Sequence, residues 1–271
     1  MIKVGDNIIN VGSFPDGSML TKYTPTDKEL GYEEAHISWF YENDREFLCL
    51  MYLVKHLRSH GIEYIYLYMP YIPNARQDRV KNPEDVFTLK YFAELLNSLN
   101  LTRVQVLDPH SDVSAALINN IWICSPKSHI ADALFRMKTN EGVDTDHILV
   151  FYPDNGSARR YADMVNRYYA YGVKKRDWAT GQIEGLDVVD NGFDLKGKDI
   201  LIVDDICSRG GTFYHSAKKL KELGANDIYL YVSHCENTIL EGDLLKGDLI
   251  KKVYTTDSIF TKSHGKIEVL K

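Results

Sequence analysis

Two spacings of apolar residues alternate along this chain. Short β-rich runs at residues 63–69, 104–107, 148–152, 200–203 and 228–232 recur between stretches of helical periodicity. Leu89, Phe92, Leu96 and Leu99 share one helical face, and Phe213, Ala217, Leu220 and Leu223 share another. Strands alternating with helices in this way predict an α/β protein built on parallel sheets with crossover helices. No short-period repeat and no low-complexity linker interrupts the pattern. A break near Ser125-Pro126 leaves two α/β halves of comparable size, so domains are predicted at 1–125 and 126–271. Residues 21–34 are polar and turn-rich and are expected to form a surface excursion.

Composition narrows the classes. The 271 residues suffice for two cores, and 44% hydrophobic with 26% charged residues is ordinary for a globular chain. A formal charge of -6 argues against a general nucleic-acid binder. The longest apolar run, residues 47–54, is too short to cross a bilayer. No basic stretch with a cleavage site precedes the first strand, so the expectation is a cytoplasmic protein with no membrane partner. Cys49, Cys124, Cys207 and Cys235 are scattered, without zinc-ligand spacing or a disulfide framework. Cys49 reads as a small core residue, and Cys207 as bulk near a loop.

The chemistry concentrates in Ile200-Leu-Ile-Val-Asp-Asp-Ile-Cys-Ser-Arg-Gly-Gly-Thr212. Four apolar residues read as a buried parallel strand, and Asp204 and Asp205 follow where an open α/β sheet places its ligand crevice. Ser208, Arg209, Gly210, Gly211 and Thr212 then lead into a helix. Gly210 and Gly211 let backbone N–H groups converge beside a positive helix end, which suits an anion. Paired carboxylates suit vicinal hydroxyls, so a phosphorylated sugar fits the string. An ordinary βα turn with an Asp or Ser cap gives the same letters, and the residues alone leave both readings open.

A second string, Pro70-Tyr-Ile-Pro-Asn-Ala-Arg-Gln-Asp-Arg79, also follows a strand. Arg76 and Arg79 offer forked donors for phosphate oxygens, while Gln77 and Asp78 suit a base edge or the orienting of an arginine. A solvated charged loop is the plain alternative. This string resembles the Ala-Arg-Gln-Asp-Arg segment of the ribose-phosphate pyrophosphokinases, and 203–212 resembles the ribose-phosphate loop of the type I phosphoribosyltransferase fold. Three more segments agree in order. Asp108-Pro-His110 resembles the family's Asp-Leu-His, Pro153-Asp154-Asn-Gly156 its Pro-Asp-x-Gly, and Phe14-Pro-Asp16-Gly17 its Phe-x-Asp-Gly. Each has a plain counterpart too: a buried histidine, a helix cap, a hairpin turn.

The resemblance implies two doubly wound domains of the type I phosphoribosyltransferase-like fold. It implies transfer of the β,γ-pyrophosphoryl group of ATP to the anomeric hydroxyl of a ribose 5-phosphate moiety. Phe14, Asp16, Arg76, Gln77 and Asp78 would contact ATP. Asp204, Asp205 and residues 208–212 would hold the ribose phosphate, and His110 with Asp154 would hold Mg2+. The basic run Lys174-Lys-Arg176 sits where the family has a mobile loop closing on ATP, so Lys174 and Arg176 would stabilise the transition state. A homo-oligomer is the family expectation.

Three departures qualify this. Ser208 and Arg209 stand where the family has Asp-Thr, which either tightens the same phosphate or admits a larger anionic 5-substituent such as the diphosphate of ADP-ribose. Ser18 replaces a common Glu beside the adenine segment. The sequence stops soon after residues 267–270, without the family's terminal helix, which leaves hexameric assembly open. Beside the synthetase stand a phosphoribosyltransferase, disfavoured by the Arg76 segment and the amino-terminal half, and a non-catalytic regulatory relative.

Overall fold

The computed structural model describes residues 1–176 and 183–271, and the side chains of all of these except 174–176 and 183–186. The chain divides into two compact units, Met1–Ser125 and Pro126–Lys271.

The first unit opens with β1 (Ile2–Val4), β2 (Asn7–Ile8) and a hairpin of β3 (Val11–Ser13) and β4 (Met19–Thr21). Then follow α1 (Asp27–Tyr32), β5 (Glu34–Trp39), α2 (Arg45–Ser59), β6 (Tyr64–Tyr68) and α3 (Thr88–Asn97). The unit closes with β7 (Arg103–Leu107), α4 (Asp112–Leu117) and β8 (Ile121–Cys124). The sheet order is β2-β1-β5-β6-β7-β8, parallel from β5 onward. Helix α2 buries Glu46, Cys49, Leu50, Leu53, Val54 and Leu57 at helical spacing, and Leu89, Phe92 and Leu96 of α3 join the same core.

The second unit runs α5 (Lys127–Asn140), β9 (Leu149–Tyr152), α6 (Asn155–Val165), β10 (Tyr169–Arg176) and β11 (Ile183–Val189). It continues with β12 (Ile200–Cys207), α7 (Gly211–Glu222), β13 (Ile228–Cys235), a 3-10 turn (Asn237–Glu241), β14 (Lys252–Thr256) and β15 (Ile267–Leu270). The order is β11-β10-β9-β12-β13-β14-β15, parallel except for the β10–β11 ribbon. Every residue of β13 is buried, as expected of a central parallel strand covered on both faces. One face packs Phe151, Ile202 and Leu230 against Phe213, Ala217 and Leu220 of α7. The other packs Val150, Leu201 and Tyr229 against α5 and α6.

Three expectations change in detail. Residues 21–34 hold a short helix, because Thr26 and Glu29 form a reciprocal capping box of 3.3 and 2.7 Å. Leu223 sits at the C-cap of α7 and is 40% exposed, past the last residue of the helix and at the margin of its buried face. The basic run at 174–176 ends a strand rather than lying in a loop: its backbone pairs antiparallel with β11, Lys174 opposite Leu186. The side chains of Lys174 and Arg176 lie outside the described residues.

Candidate functional site

In the second unit the parallel strands β9 and β12 bring two motif segments to one sheet edge. Asp154 caps α6, its Oδ1 accepting the Ser157 backbone N–H at 3.1 Å. The Ser157 hydroxyl donates to Asp204 Oδ1 at 2.8 Å, which ties the helix start to the C-terminal half of β12, inside which both acids lie. Arg160, one turn further along α6, places Nη1 3.5 Å from Asp205 Oδ2. Asp205 is 5% exposed. Burial, with the neighbouring Asp205 charge adding to it, pushes the Asp204 carboxyl up to about 7; the Ser157 bond opposes this in part. Such a carboxylate gains from partners that bring hydroxyl protons or positive charge.

Strand β12 hands over to the glycine loop directly. Gly210 adopts φ +78° at the N-cap of α7, a conformation open to glycine and costly for other residues. A Cβ at Gly211 would meet no described atom within 4 Å beyond its own chain neighbours and helix backbone, so none of the described packing demands glycine there. Arg209 points outward, and its Nη2 donates to Glu241 Oε2 at 3.1 Å. Cys207 is fully buried, and contact with the Cys235 thiol together with burial pushes its own thiol well up, which suits bulk rather than nucleophilicity.

The first unit positions a second set. The segment after β6 and the segment after β7 leave the same edge of a parallel sheet, and the Leu107 N–H donates to the Pro70 carbonyl at 3.0 Å. Asp78 is buried and accepts from Arg79 Nε at 2.7 Å and Nη2 at 3.0 Å. Arg79 beside Asp78 holds its carboxyl below the ordinary value, and the nearby His110 adds to this. Asp78 thus holds the guanidinium of the adjacent Arg79 in an ion pair. Arg76, Gln77 and His110 are exposed, and Thr88 donates to Gln77 Oε1 at 2.8 Å. Buried Asp108 adopts φ +42° directly before Pro109, a strained conformation of the kind found at ligand clamps. Phe14 and Asp16 form the exposed tip of the β3–β4 hairpin, where Asp16 accepts the Ser18 N–H at 2.9 Å and its hydroxyl at 2.6 Å. Those bonds lower the Asp16 pKa.

Three side chains of this geometry were not singled out from the sequence: Ser157, Arg160 and Glu241. The first two had a signal, because positions three and six after a capping Asp154 fall on one helical face. Glu241 had none, lying 32 residues from its partner. Among the described residues no group of three or more His, Cys, Asp or Glu side chains is arranged to hold a metal ion. Nor is any helix among them long and apolar enough to cross a membrane.

A parallel sheet covered on both faces, with paired acids and a glycine loop at its edge, defines a phosphoribosyltransferase-like domain. Residues 156–260 match the phosphoribosyl transferase domain family. Over most of its length the chain is similar to curated ribose-phosphate pyrophosphokinases. It is 29% identical over 230 residues to that of Thermococcus kodakarensis, covering 83% of this chain and 77% of the relative. It is 29% identical to that of Bacillus subtilis, covering 82% of this chain and 68% of the relative. The fold of phosphoribosylpyrophosphate synthetase from Mycobacterium smegmatis superposes with a TM-score of 0.77 at 18% identity, covering 97% of this chain and 85% of that one.

Proposed function

We propose that the protein transfers the β,γ-pyrophosphoryl group of ATP to the anomeric 1-hydroxyl of a ribose 5-phosphate moiety. The sugar oxygen forms a bond to the β-phosphorus, the bond from that phosphorus to the α-phosphate oxygen breaks, and AMP leaves. The hydroxyl proton goes to solvent. The observation that carries this reading is the bonded set Asp154–Ser157–Asp204, with Arg160 on Asp205, directly before the glycine loop.

Each part has a physical role. Asp204 and Asp205 accept hydrogen bonds from the 2- and 3-hydroxyls. Ser208, Gly210, Gly211 and Thr212 present N–H and O–H donors to the 5-phosphate at the start of α7, where the helix dipole favours negative charge. The open space at Gly211 supports an approach by phosphate. Arg76 and Gln77, with Phe14 and Asp16, hold ATP, and Asp78 keeps Arg79 aligned for phosphate oxygens. Lys174 and Arg176 meet the charge that builds on the transferred group, a role resting on family likeness.

Magnesium fits the chemistry of the donors. Asp154 offers hard oxygen, and the crowding of Asp204 by Asp205 and Asp154 leaves negative charge to offset; a part for His110 rests on family likeness alone. An ion that keeps most of its waters needs no protein cage. When bound, it neutralises triphosphate oxygens.

The test is product identity by mass spectrometry after incubation with ATP, magnesium and ribose 5-phosphate. AMP and a sugar bearing one added pyrophosphoryl group are expected. Absence of AMP with ribose 5-phosphate and with ADP-ribose alike would sink the proposal.

One observation favours ADP-ribose as a second acceptor: the Arg209 side chain is 73% exposed at the rim of the phosphate loop. Its fork suits a diphosphate extending outward. Arg209→Thr is then expected to raise the KM for ADP-ribose about tenfold, the equivalent of one charge-assisted contact, and to change that for ribose 5-phosphate less. Equal losses for both sugars remove this reading.

A further inference from the structure

The phosphate loop is backed by a segment to which no chemistry has been assigned, the 3-10 turn Asn237–Glu241 with residues 242–244. The Glu236 N–H donates to the Cys207 carbonyl at 2.8 Å, which fixes the base of the loop. Glu241 accepts from Arg209. Gly242 lies so close that a Cβ there would stand 1.9 Å from the Arg209 carbonyl oxygen and 2.9 Å from its carbon. Leu244, fully buried, fills the other side: a Cβ at Gly210 would meet Leu244 Cδ2 at 2.8 Å and its Cβ at 2.9 Å.

The backbone at Gly242, φ -84° and ψ -178°, is one that any residue adopts. Glycine is therefore required at 242 for room and not for conformation. The room belongs to the backbone of Arg209, next to the left-handed Gly210 that aims the N–H groups of the loop.

We infer that Gly242 and Leu244 are positioning residues, which set where the phosphate loop stands and so its affinity for the acceptor's phosphate. The inference rests on the proposed function, since it takes the 5-phosphate as the ligand of this loop. Any side chain at 242 forces the Arg209 carbonyl to move, and the N–H groups beside it turn with it. Displacements on the order of 1 Å at such a clamp cost up to about a hundredfold.

The experiment is calorimetric titration of the full chain with ribose 5-phosphate, and separately with ATP and magnesium. Gly242→Ala is expected to weaken ribose 5-phosphate binding at least about tenfold and leave ATP binding within about twofold. Unchanged sugar-phosphate affinity overturns the inference. So does parallel weakening of both ligands, which marks general damage. A wild-type protein that binds ATP but no ribose 5-phosphate overturns the proposed function, and this inference with it. Should Gly242→Ala not fold, Leu244→Met keeps the volume and redistributes the atoms against Gly210. It is then expected to weaken ribose 5-phosphate alone by about threefold, and no change overturns the inference.

Discussion

Asp204→Asn is expected to lower kcat/KM for the acceptor about a hundredfold while making the ligand-free protein more heat-stable at pH 8. The activity loss follows from removing a charged acceptor of a sugar hydroxyl, worth roughly 1.5–3 kcal/mol. The stability gain follows from the raised Asp204 carboxyl, at about 7 in the folded chain against 3.8 as its ordinary value. Below about pH 4 the group is neutral folded and unfolded, and its burial is harmless. As pH rises toward 7 the unfolded chain ionises while the folded one keeps its proton, so stability drains away until the folded group ionises too. Asparagine removes that penalty and still accepts the Ser157 hydroxyl. Because Asp205 lies alongside, a gain of about 1–3 kcal/mol is expected rather than the full shift. This corresponds to roughly 3–10 °C in Tm. Thermal unfolding at pH 5 and pH 8 checks it: the two proteins should differ more at pH 8. Equal Tm values at both pH values contradict the burial argument, and unchanged turnover contradicts the role of the residue.

Gly210→Ala and Gly211→Ala are expected to fail in different ways. At Gly210 the new methyl meets Leu244 below 3 Å, on a backbone of φ +78°. Left-handed strain of about 1 kcal/mol and overpacking of about 1–3 kcal/mol add up to a loss of about 2–4 kcal/mol. That should show as a Tm lower by about 5–15 °C. At Gly211 the methyl meets nothing within 4 Å, and alanine is the better helix former, so Tm is expected to hold or rise slightly. The methyl does stand where phosphate is proposed to approach, so ribose 5-phosphate affinity should fall about tenfold or more. Calorimetry alongside thermal unfolding separates the two effects. A Gly211→Ala protein with full sugar-phosphate affinity would move the phosphate elsewhere.

Much of the α/β architecture is written in local pattern. The unbroken, largely β-branched apolar run at 200–203, bounded by polar residues, reads as a strand covered on both faces, and β12 with its neighbour β13 is one. The sequence hides what depends on distant partners. The parallel pairing continues through Ile206 with His234 and Cys207 with Cys235, so the strand carries both acids inside it. The β10–β11 ribbon is obscured by a central glycine and by the lysines and arginine at its end, which read as a solvated loop. Residues 21–34 look featureless unless the spacing of Thr26 and Glu29 is weighed above their polarity. In the site, residue types announced the acids and glycines because few other side chains do that chemistry. Ser157 and Arg160 are ordinary helix residues until the fold turns them toward β12. The closeness of Gly242 to Arg209 exists only in three dimensions.

Asp204 is registered opposite Val232 of β13, whereas Ser208, Arg209 and Gly210 lie past the last paired residue of the same strand. The proposed grip on hydroxyls is thus anchored in a buried, paired strand, and the proposed grip on the far end of the acceptor lies in an unpaired loop packed against Gly242 and Leu244. Under that proposal, variation in the loop can retune which sugars are admitted without shifting the atoms that hold the ring. Enzymes diverging from a common ancestor by this route would keep one reaction and trade substrates at its outer end.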